Sequence, residues 1–148
     1  MKITLLSNWP AYDILVFMVK RLFDIFFSSI GLILLSPLFI WLAIAIKRNS
    51  PGPVFYRGIR AGKGLEPFRI FKFRSMVANA EQIGGENSPA DDPRLTQIGK
   101  FMKRYKLDEF PQLINVIKGE MSLVGPRPEV LRYANLYKGE EKIVYTVK

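Results

Sequence analysis

The feature that most constrains this chain is an apolar stretch from Leu22 to Ile46, in which Asp24 is the only charged residue. As an α-helix, this stretch would reach roughly 37 Å, which exceeds the roughly 30 Å hydrocarbon layer of a bilayer. The rest of a 148-residue chain could hardly enclose so long an apolar helix as a buried core element. The stretch therefore predicts a membrane-inserted helix in preference to a core helix.

The flanks and the middle of this helix leave two topologies open. Lys20–Arg21 precede the apolar stretch and Lys47–Arg48 follow it, so the positive-inside rule gives no clear orientation. Pro37, after Ser36, lacks an amide donor and clashes with the carbonyl of Ile33, which bends a helix. A re-entrant helix over residues 20–48 and a kinked span are equally compatible with this charge pattern.

The segment before the apolar stretch is predicted to belong to the membrane-associated part of the protein. Residues 1–19 extend the helix or lie along the interface, with Trp9 and Tyr12 at headgroup depth. A cleaved signal peptide is not expected, because the apolar stretch is too long and no small-residue cleavage site follows it.

The composition restricts the chemistry available to the chain. It contains no histidine and no cysteine, which excludes disulfides, thiolate or imidazole zinc sites and histidine-based catalysis. The 22 Lys and Arg residues against 13 Asp and Glu residues give a net charge of +9, almost all of it after residue 46. The expected partners are therefore anionic, namely nucleic acid, acidic lipid or phosphorylated molecules.

The basic part begins with short extended segments. Val54–Tyr56 is predicted to be extended, and the glycines between residues 58 and 64 predict a turn. Residues 67–76 then alternate so that Lys72 and Arg74 share a face, typical either of a phosphate contact or of a solvated edge strand. Turn-forming residues from Gly84 to Pro93 predict a surface loop that separates two halves of this part.

Two helices are predicted after the loop. The first is basic and amphipathic, and it either packs as an ordinary surface helix or lies on anionic lipid. Its apolar positions are Leu95, Ile98, Phe101, Met102 and Tyr105. The second helix runs from residue 107 to Lys118–Gly119. Its predicted buried side consists of Leu113, Ile114 and Ile117.

Two acids begin the second helix, and they have both a structural and a chemical interpretation. Asp108 is predicted to be its N-cap and Glu109 a first-turn acid, as expected where free amides and the helix dipole favour negative charge. The same field keeps carboxylates ionised, which also suits a metal ligand or an attacking carboxylate. Arg127 lies between two prolines, in either a rigid turn or a preorganised phosphate contact.

Five short motifs, behind a hydrophobic helix that contains Ser-Pro, resemble those of the bacterial sugar transferases called monotopic phosphoglycosyl transferases. Together they cover roughly residues 20–130, and in this order they are specific, although each is weak alone. The motifs are Lys72–Met76, Asp92–Leu95, Leu107–Leu113, Lys118–Leu123 and Gly125–Glu129.

The resemblance implies a fold, a location and a reaction. The expected fold is α+β and mostly helical, with a re-entrant helix-break-helix segment kinked at Ser36 and Pro37 and a small basic catalytic domain with short strands at 49–148. The family acts at the cytoplasmic face of the bacterial inner membrane. It transfers a sugar 1-phosphate from a nucleotide sugar, usually a UDP-sugar, to polyprenyl phosphate, releases the nucleoside monophosphate (UMP), and so initiates glycoconjugate assembly.

The resemblance also implies roles for individual residues. Asp108 is the expected nucleophile and Glu109 its partner, and both are expected ligands of the required Mg²⁺, or of Mn²⁺. An oxygen-only site suits such a metal. Lys72, Arg74 and Arg127 are the cations expected around the substrate phosphates.

Two departures from the family pattern leave alternatives open. Lys103 stands where relatives usually carry arginine, and the chain ends at Ile143–Lys148 where relatives usually continue with Pro-Gly-Ile-Thr and further helices. Loss of that part predicts a weakly active enzyme or an inactive scaffold. A membrane-tethered nucleic-acid-binding module, with residues 95–118 as a helix-turn-helix pair, is the other alternative. Its connection carries the acidic pair, so a nucleic-acid partner is not expected.

Overall fold

The computed structural model of the chain describes residues 10–84, 92–137, 142 and 145–146. Trp9 and most of the predicted loop between Gly84 and Pro93 lie outside these residues. The described part is mostly helical, with four short strands, as the sequence predicts. Its helices are α1 (Pro10–Asn49), α2 (Ala80–Ile83), α3 (Gln97–Arg104), α4 (Gln112–Lys118) and α5 (Leu131–Ala134), and its strands are β1 (Phe55–Tyr56), β2 (Ile59–Ala61), β3 (Pro67–Arg69) and β4 (Lys72–Phe73).

Helix α1 is one continuous helix through Pro37, so the predicted kink at Ser36 and Pro37 does not end it. The Ser36 hydroxyl donates a hydrogen bond of 2.7 Å to the carbonyl oxygen of Ile33, the group whose usual amide partner the proline ring removes. The Ser36 hydroxyl thus takes the place of the missing amide as hydrogen-bond donor to this carbonyl, and the helical backbone can continue. The segment before the apolar stretch extends the helix, which begins at Pro10, where a proline is favourable.

The outer surface of α1 is apolar and largely uncovered. Within Ile14–Asn49, an 18-residue window has a mean hydropathy of 2.4, and only 11% of that window is buried by the rest of the protein. The helix is thus long and apolar enough to cross a membrane. So large an exposed apolar surface is typical of a lipid contact.

The inner face of α1 is attached to α4 by polar contacts near its N-terminal half. The Arg21 guanidinium donates to the carbonyl oxygens of Val116 and Ile117, in the last turn of α4, where the helix dipole favours a cation. The buried Asp24 carboxylate accepts a hydrogen bond of 3.1 Å from the amide of Leu123. The charged residues around the start of the apolar stretch thus bind the body of the protein.

The C-terminal half of α1 contributes to the hydrophobic core. Leu42 and Ile46 pack with Phe73 of β4 and Met102 of α3, and all four are fully buried. Phe39 adds an edge-to-face contact with Phe73, with ring centroids 5.2 Å apart. One helix therefore forms both the lipid-type surface and part of the core.

Strands β1–β4 form an antiparallel hairpin that is broken in its middle. At the open end of the hairpin β1 pairs with β4, where Phe55 lies opposite Phe73. Closer to the turn β2 pairs with β3, where Ile59 lies opposite Arg69. The predicted turn at 58–64 therefore contains strand β2 and a 3₁₀ turn at Lys63–Leu65. The predicted strand over 67–76 is likewise split, so its alternation fails and the neighbours Phe73 and Arg74 are both buried.

The motif at residues 92–95 stabilises the fold. Arg94 binds Asp92 through two side-chain hydrogen bonds of 2.9 and 2.6 Å, and both residues are buried. A third nitrogen of Arg94 donates to the carbonyl oxygen of Ala80 in α2. A planar guanidinium suits this paired geometry, and the pairing compensates for the burial of both charges.

Helix α3 buries a narrower apolar stripe than its sequence predicts. Leu95 and Met102 are buried, whereas Phe101 and Tyr105 are exposed. Phe101 lies instead against the exposed Trp41 of α1, with ring centroids 6.4 Å apart. These two aromatic rings extend the uncovered apolar surface from α1 to α3.

The fit of α3 against the preceding chain predicts the effect of one methyl group. A Cβ atom at Gly99 would lie 1.8 Å from the carbonyl oxygen of Ser75, so the backbone must move. We expect Gly99→Ala to lower the free energy of unfolding by about 1–3 kcal/mol, because it overpacks a buried contact. Thermal unfolding in detergent measures this, with the exposed neighbour Lys100→Ala as control. Equal melting temperatures for Gly99→Ala and the native chain would contradict the close approach.

Candidate active site

The two acids lie in a short 3₁₀ turn, Leu107–Glu109, and not in the first turn of the following helix. Helix α4 begins only at Gln112, after Pro111. The prediction of Asp108 as an N-cap is therefore wrong, because its carboxylate faces the side chain of Lys72 from strand β4. The predicted helix stop is confirmed, since Gly119 adopts a left-handed φ of 81° directly after α4.

Four of the predicted site residues form one chain of alternating charges. The Lys72 ammonium lies 3.0 Å from Asp108 Oδ2 and 3.2 Å from Glu109 Oε1. The guanidinium of Arg127 lies 2.7 Å from the same oxygen of Glu109. Strand β4, the 3₁₀ turn and the Gly125–Glu129 motif thus meet at this point, although they are well separated in sequence.

The exposure of these side chains increases along the charge chain. Asp108 is 2% exposed, Lys72 24%, Glu109 25% and Arg127 75%. The second carboxylate oxygen of Asp108, Oδ1, is buried and has no hydrogen-bond partner among the described residues. A buried, unsatisfied carboxylate oxygen is unfavourable and typical of a group whose partner is supplied by a ligand.

The surrounding charges keep Glu109 ionised. Burial raises the pKa of this carboxyl, but the charges and hydrogen bonds of Lys72 and Arg127 outweigh burial, so its pKa lies below the usual value. The pKa of Lys103 is also lowered, first by burial and then by repulsion from Lys72, against opposing attraction from Asp108 and Asp92. Lys103 is therefore electrostatically coupled to the site.

Arg74 is not directed at the carboxylates, although the sequence predicts that it binds phosphate beside Lys72. It is buried, and its guanidinium donates to the carbonyl oxygens of Ser50 and Pro51, just after α1. Gly52 permits this approach, since it has a φ of 118° and a Cβ there would lie 2.1 Å from the guanidinium. The observed contacts give Arg74 a structural role, in holding the end of α1.

Sequence reasoning missed Asn115, which is fully buried in α4. The predicted buried positions Leu113, Ile114 and Ile117 are only half-buried, whereas Asn115 and Val116 face inward. The Asn115 side chain binds two groups: the backbone just before Lys72, and the carboxylate of Glu120. An amide flanked on both sides by apolar residues, Leu113–Ile114 before it and Val116–Ile117 after it, is the sequence signal that could have identified it.

The donor set fits a hard divalent cation held together with a substrate. Among the described residues, there is no group of three or more acidic, histidine or cysteine side chains that could hold a metal alone. Asp108 and Glu109 supply two adjacent carboxylates, and Asp108 has an unpaired oxygen. One or two carboxylates plus substrate phosphates is the usual environment of Mg²⁺.

Comparison with known proteins identifies relatives of the chain. Residues 15–148 match the model of the bacterial sugar transferase family. A protein of Bacillus subtilis (strain 168), named provisionally as an undecaprenyl-phosphate N-acetylgalactosaminyl 1-phosphate transferase, is 43% identical over 122 residues. This match covers 82% of the chain and 68% of that relative.

Two longer relatives carry names of the same kind. The UDP-N-acetylgalactosamine-undecaprenyl-phosphate N-acetylgalactosaminephosphotransferase of Aeromonas hydrophila is 45% identical over 82% of the chain. The UDP-glucose:undecaprenyl-phosphate glucose-1-phosphate transferase of Escherichia coli (strain K12) is 40% identical over 82% of the chain. The matched residues span 29% and 26% of these two relatives.

The charge chain predicts how Glu109 titrates. Lys72→Gln removes one of the two cations that lower the pKa of Glu109. Since burial raises this pKa and is then opposed only by Arg127, the pKa of Glu109 should rise. ¹³C NMR titration of the side-chain carboxyl in metal-free protein, assigned with Glu109→Gln, measures this shift. Lys118→Gln is the control, because Lys118 pairs with Glu120 instead. An unchanged Glu109 pKa in Lys72→Gln would contradict the ion pair.

Proposed function

Because the chain belongs to the bacterial sugar transferase family, we propose that it transfers a sugar 1-phosphate from a UDP-sugar to a membrane polyprenyl phosphate. The products are a polyprenyl-diphosphate sugar and UMP, and the reaction begins the assembly of a polysaccharide or another glycoconjugate. The observation that carries this proposal is the buried Asp108 carboxylate, with one oxygen paired to Lys72 and the other unpaired, beside Glu109 and Arg127. The names of the relatives supply the substrate class.

The unpaired oxygen of Asp108 is the proposed nucleophile. Oδ1 forms a bond to the phosphorus that carries the sugar, and the bond between that phosphorus and the bridging oxygen of the diphosphate breaks. The electron pair leaves on UMP, and a phosphosugar remains on Asp108 as a mixed anhydride. An oxygen of polyprenyl phosphate then attacks the same phosphorus and displaces the carboxylate.

The cations of the site act by exchanging partners. Lys72 and Arg127 neutralise Asp108 and Glu109 before substrate binds, and the incoming diphosphate offers them a competing anion. Transfer of Lys72 to a phosphate oxygen frees Oδ2 of Asp108, so that the carboxylate can turn its unpaired Oδ1 toward the phosphorus. Since Asp108 is almost fully buried, this exchange is also the step that opens access to it.

Glu109 is better suited to hold charge than to remove a proton. Its lowered pKa makes it a weak base, and a phosphate monoester such as the acceptor is already largely ionised near neutral pH. Asp108 and Glu109 are the residues that would hold Mg²⁺ (or Mn²⁺) together with the diphosphate, where the ion supplies charge neutralisation. We therefore assign Glu109 an electrostatic role in the donor site.

A re-entrant placement of α1 on the cytoplasmic face of the inner membrane completes the proposal. The body of the protein binds α1 near both ends of the apolar stretch, through Arg21 and Asp24 at one end and Leu42 and Ile46 at the other. A simple span would place one of these ends on the far side of the bilayer, away from the body. Both basic flanks then lie on one face, in agreement with the positive-inside rule.

Substitution of Asp108 tests the chemistry. We expect Asp108→Asn to lower transfer of radiolabelled sugar phosphate to polyprenyl phosphate in nanodiscs by roughly 1,000-fold or more, because the covalent route is lost. Incubation of the native chain with UDP-sugar and Mg²⁺ should give a phosphosugar adduct on the peptide that contains Asp108, detected by mass spectrometry. Glu66→Gln, at an exposed carboxylate, is the control. Near-native transfer by Asp108→Asn would refute the nucleophile.

Labelling of single cysteines tests the topology. The chain contains no cysteine, so Ser7→Cys, before α1, and Asn49→Cys, at its end, each introduce a unique thiol. We expect a membrane-impermeant maleimide to label neither variant in intact spheroplasts and both after permeabilisation, because both ends face the cytoplasm. Labelling of only one end in intact spheroplasts would show a spanning helix and contradict the re-entrant placement.

A further inference from the structure

The strand that carries Lys72 is interrupted within the hairpin. At this interruption, some backbone groups have no hydrogen-bond partner on the opposite strand. Strand β3 ends at Arg69 and β4 begins at Lys72, and between them the amide of Ile70 donates to the carbonyl of Gly58. The carbonyl of Arg69 and the amide of Phe71 are bound by a side chain from outside the hairpin. Backbone groups that leave a strand ladder in a partly buried region are usually bound by such a partner.

Asn115 of α4 is that partner. Its Oδ1 accepts a hydrogen bond of 2.7 Å from the amide of Phe71, and its Nδ2 donates one of 2.9 Å to the carbonyl of Arg69. The same Nδ2 donates one of 2.6 Å to a carboxylate oxygen of Glu120. Since a carbonyl and a carboxylate only accept and an amide N–H only donates, these three partners determine the orientation of the Asn115 side chain.

The position of this contact links two parts of the site. The bound backbone lies one residue before Lys72, and Asn115 lies on the helix that follows the Asp108–Glu109 turn. The lysine and the two carboxylates therefore belong to segments that Asn115 joins directly. Its complete burial excludes water as a competing partner for these hydrogen bonds.

We propose that Asn115 is a positioning residue, which sets the distance between Lys72 and the carboxylates of Asp108 and Glu109 by binding the backbone at the hairpin break. The catalytic consequence rests on the proposed function, whereas the geometric consequence does not. Glu120 supports Asn115 by holding one of its two amide hydrogens. Lys118 pairs with the other oxygen of Glu120 at 2.6 Å and so belongs to the same network. Gln97, at an exposed position of α3, lies outside this network and provides the control.

The geometric part is tested without any activity assay. Acylation of the full chain with a water-soluble N-hydroxysuccinimide ester, followed by peptide mass spectrometry, reports the reactivity of Lys72 relative to the exposed Lys100. We expect Asn115→Ala to raise the Lys72 rate about two- to tenfold, because the amine spends less time bound to the carboxylates. Gln97→Ala should leave it unchanged.

Two further variants test the same contacts in case Asn115→Ala does not fold. Asn115→Asp keeps the size and the acceptor for Phe71 but loses both donated bonds, and Glu120→Ala removes only one of the three contacts. Both should raise the Lys72 rate, with the smaller change in Glu120→Ala. Native labelling rates in folded Asn115→Asp and Glu120→Ala, as judged by thermal unfolding, would overturn the proposal.

The catalytic part is tested by steady-state kinetics on the same variants. We expect folded Asn115→Asp to lower kcat about 10- to 100-fold and to change the KM for the UDP-sugar less than about twofold, because misplacement of Lys72 affects the reacting state more than binding. An unchanged kcat would overturn this part. If the native chain showed no transfer at all, the proposed function would fail, and the labelling result would still decide the geometric proposal.

Discussion

The site depends on one shared cation. Asp108 is almost completely buried, and a buried carboxylate without a counter-charge would be neutralised or would destabilise the fold. Lys72 supplies that charge and also reaches Glu109, so one ammonium holds two acids in a defined relation. Lys72 lies on the hairpin and the two acids lie on the 3₁₀ turn. The surrounding elements hold these two short segments next to each other.

Helix α1 is attached to the same elements that form the site. Its polar residues bind the end of α4, its aliphatic residues enter the core beside β4, and Arg74 binds the backbone just after it. Any tilt or shift of α1 in a bilayer is therefore transmitted to the elements that carry Lys72 and Asp108. For the proposed reaction between a nucleotide sugar and a lipid phosphate, this attachment would hold Asp108, the proposed nucleophile, in a fixed position relative to α1.

Local sequence patterns identify the residues that meet at the candidate site better than they predict the geometry that brings them together. Lys72, Asp108, Glu109 and Arg127 could be named because their residue types and motifs point to phosphate chemistry, and they do lie together. Arg74 could not be placed, because period-two reasoning assumes an unbroken strand and a side chain from α4 breaks this one. The role of Asn115 depends on contacts 44 and 46 residues away in sequence, which no local pattern contains.

The charge balance of the site explains why a two-step transfer suits it. The two cations and two carboxylates of the charge chain cancel, so the site offers no net attraction to a second anion once a diphosphate has taken Lys72 and Arg127. Direct transfer would require the donor diphosphate and the acceptor phosphate to be bound there together, with strong mutual repulsion. In the proposed mechanism, attachment of the phosphosugar to Asp108 would remove the negative charge of that carboxylate and let UMP leave before the acceptor reacts. Each displacement would then involve one mobile anion, which the two cations, together with the proposed divalent ion, would neutralise.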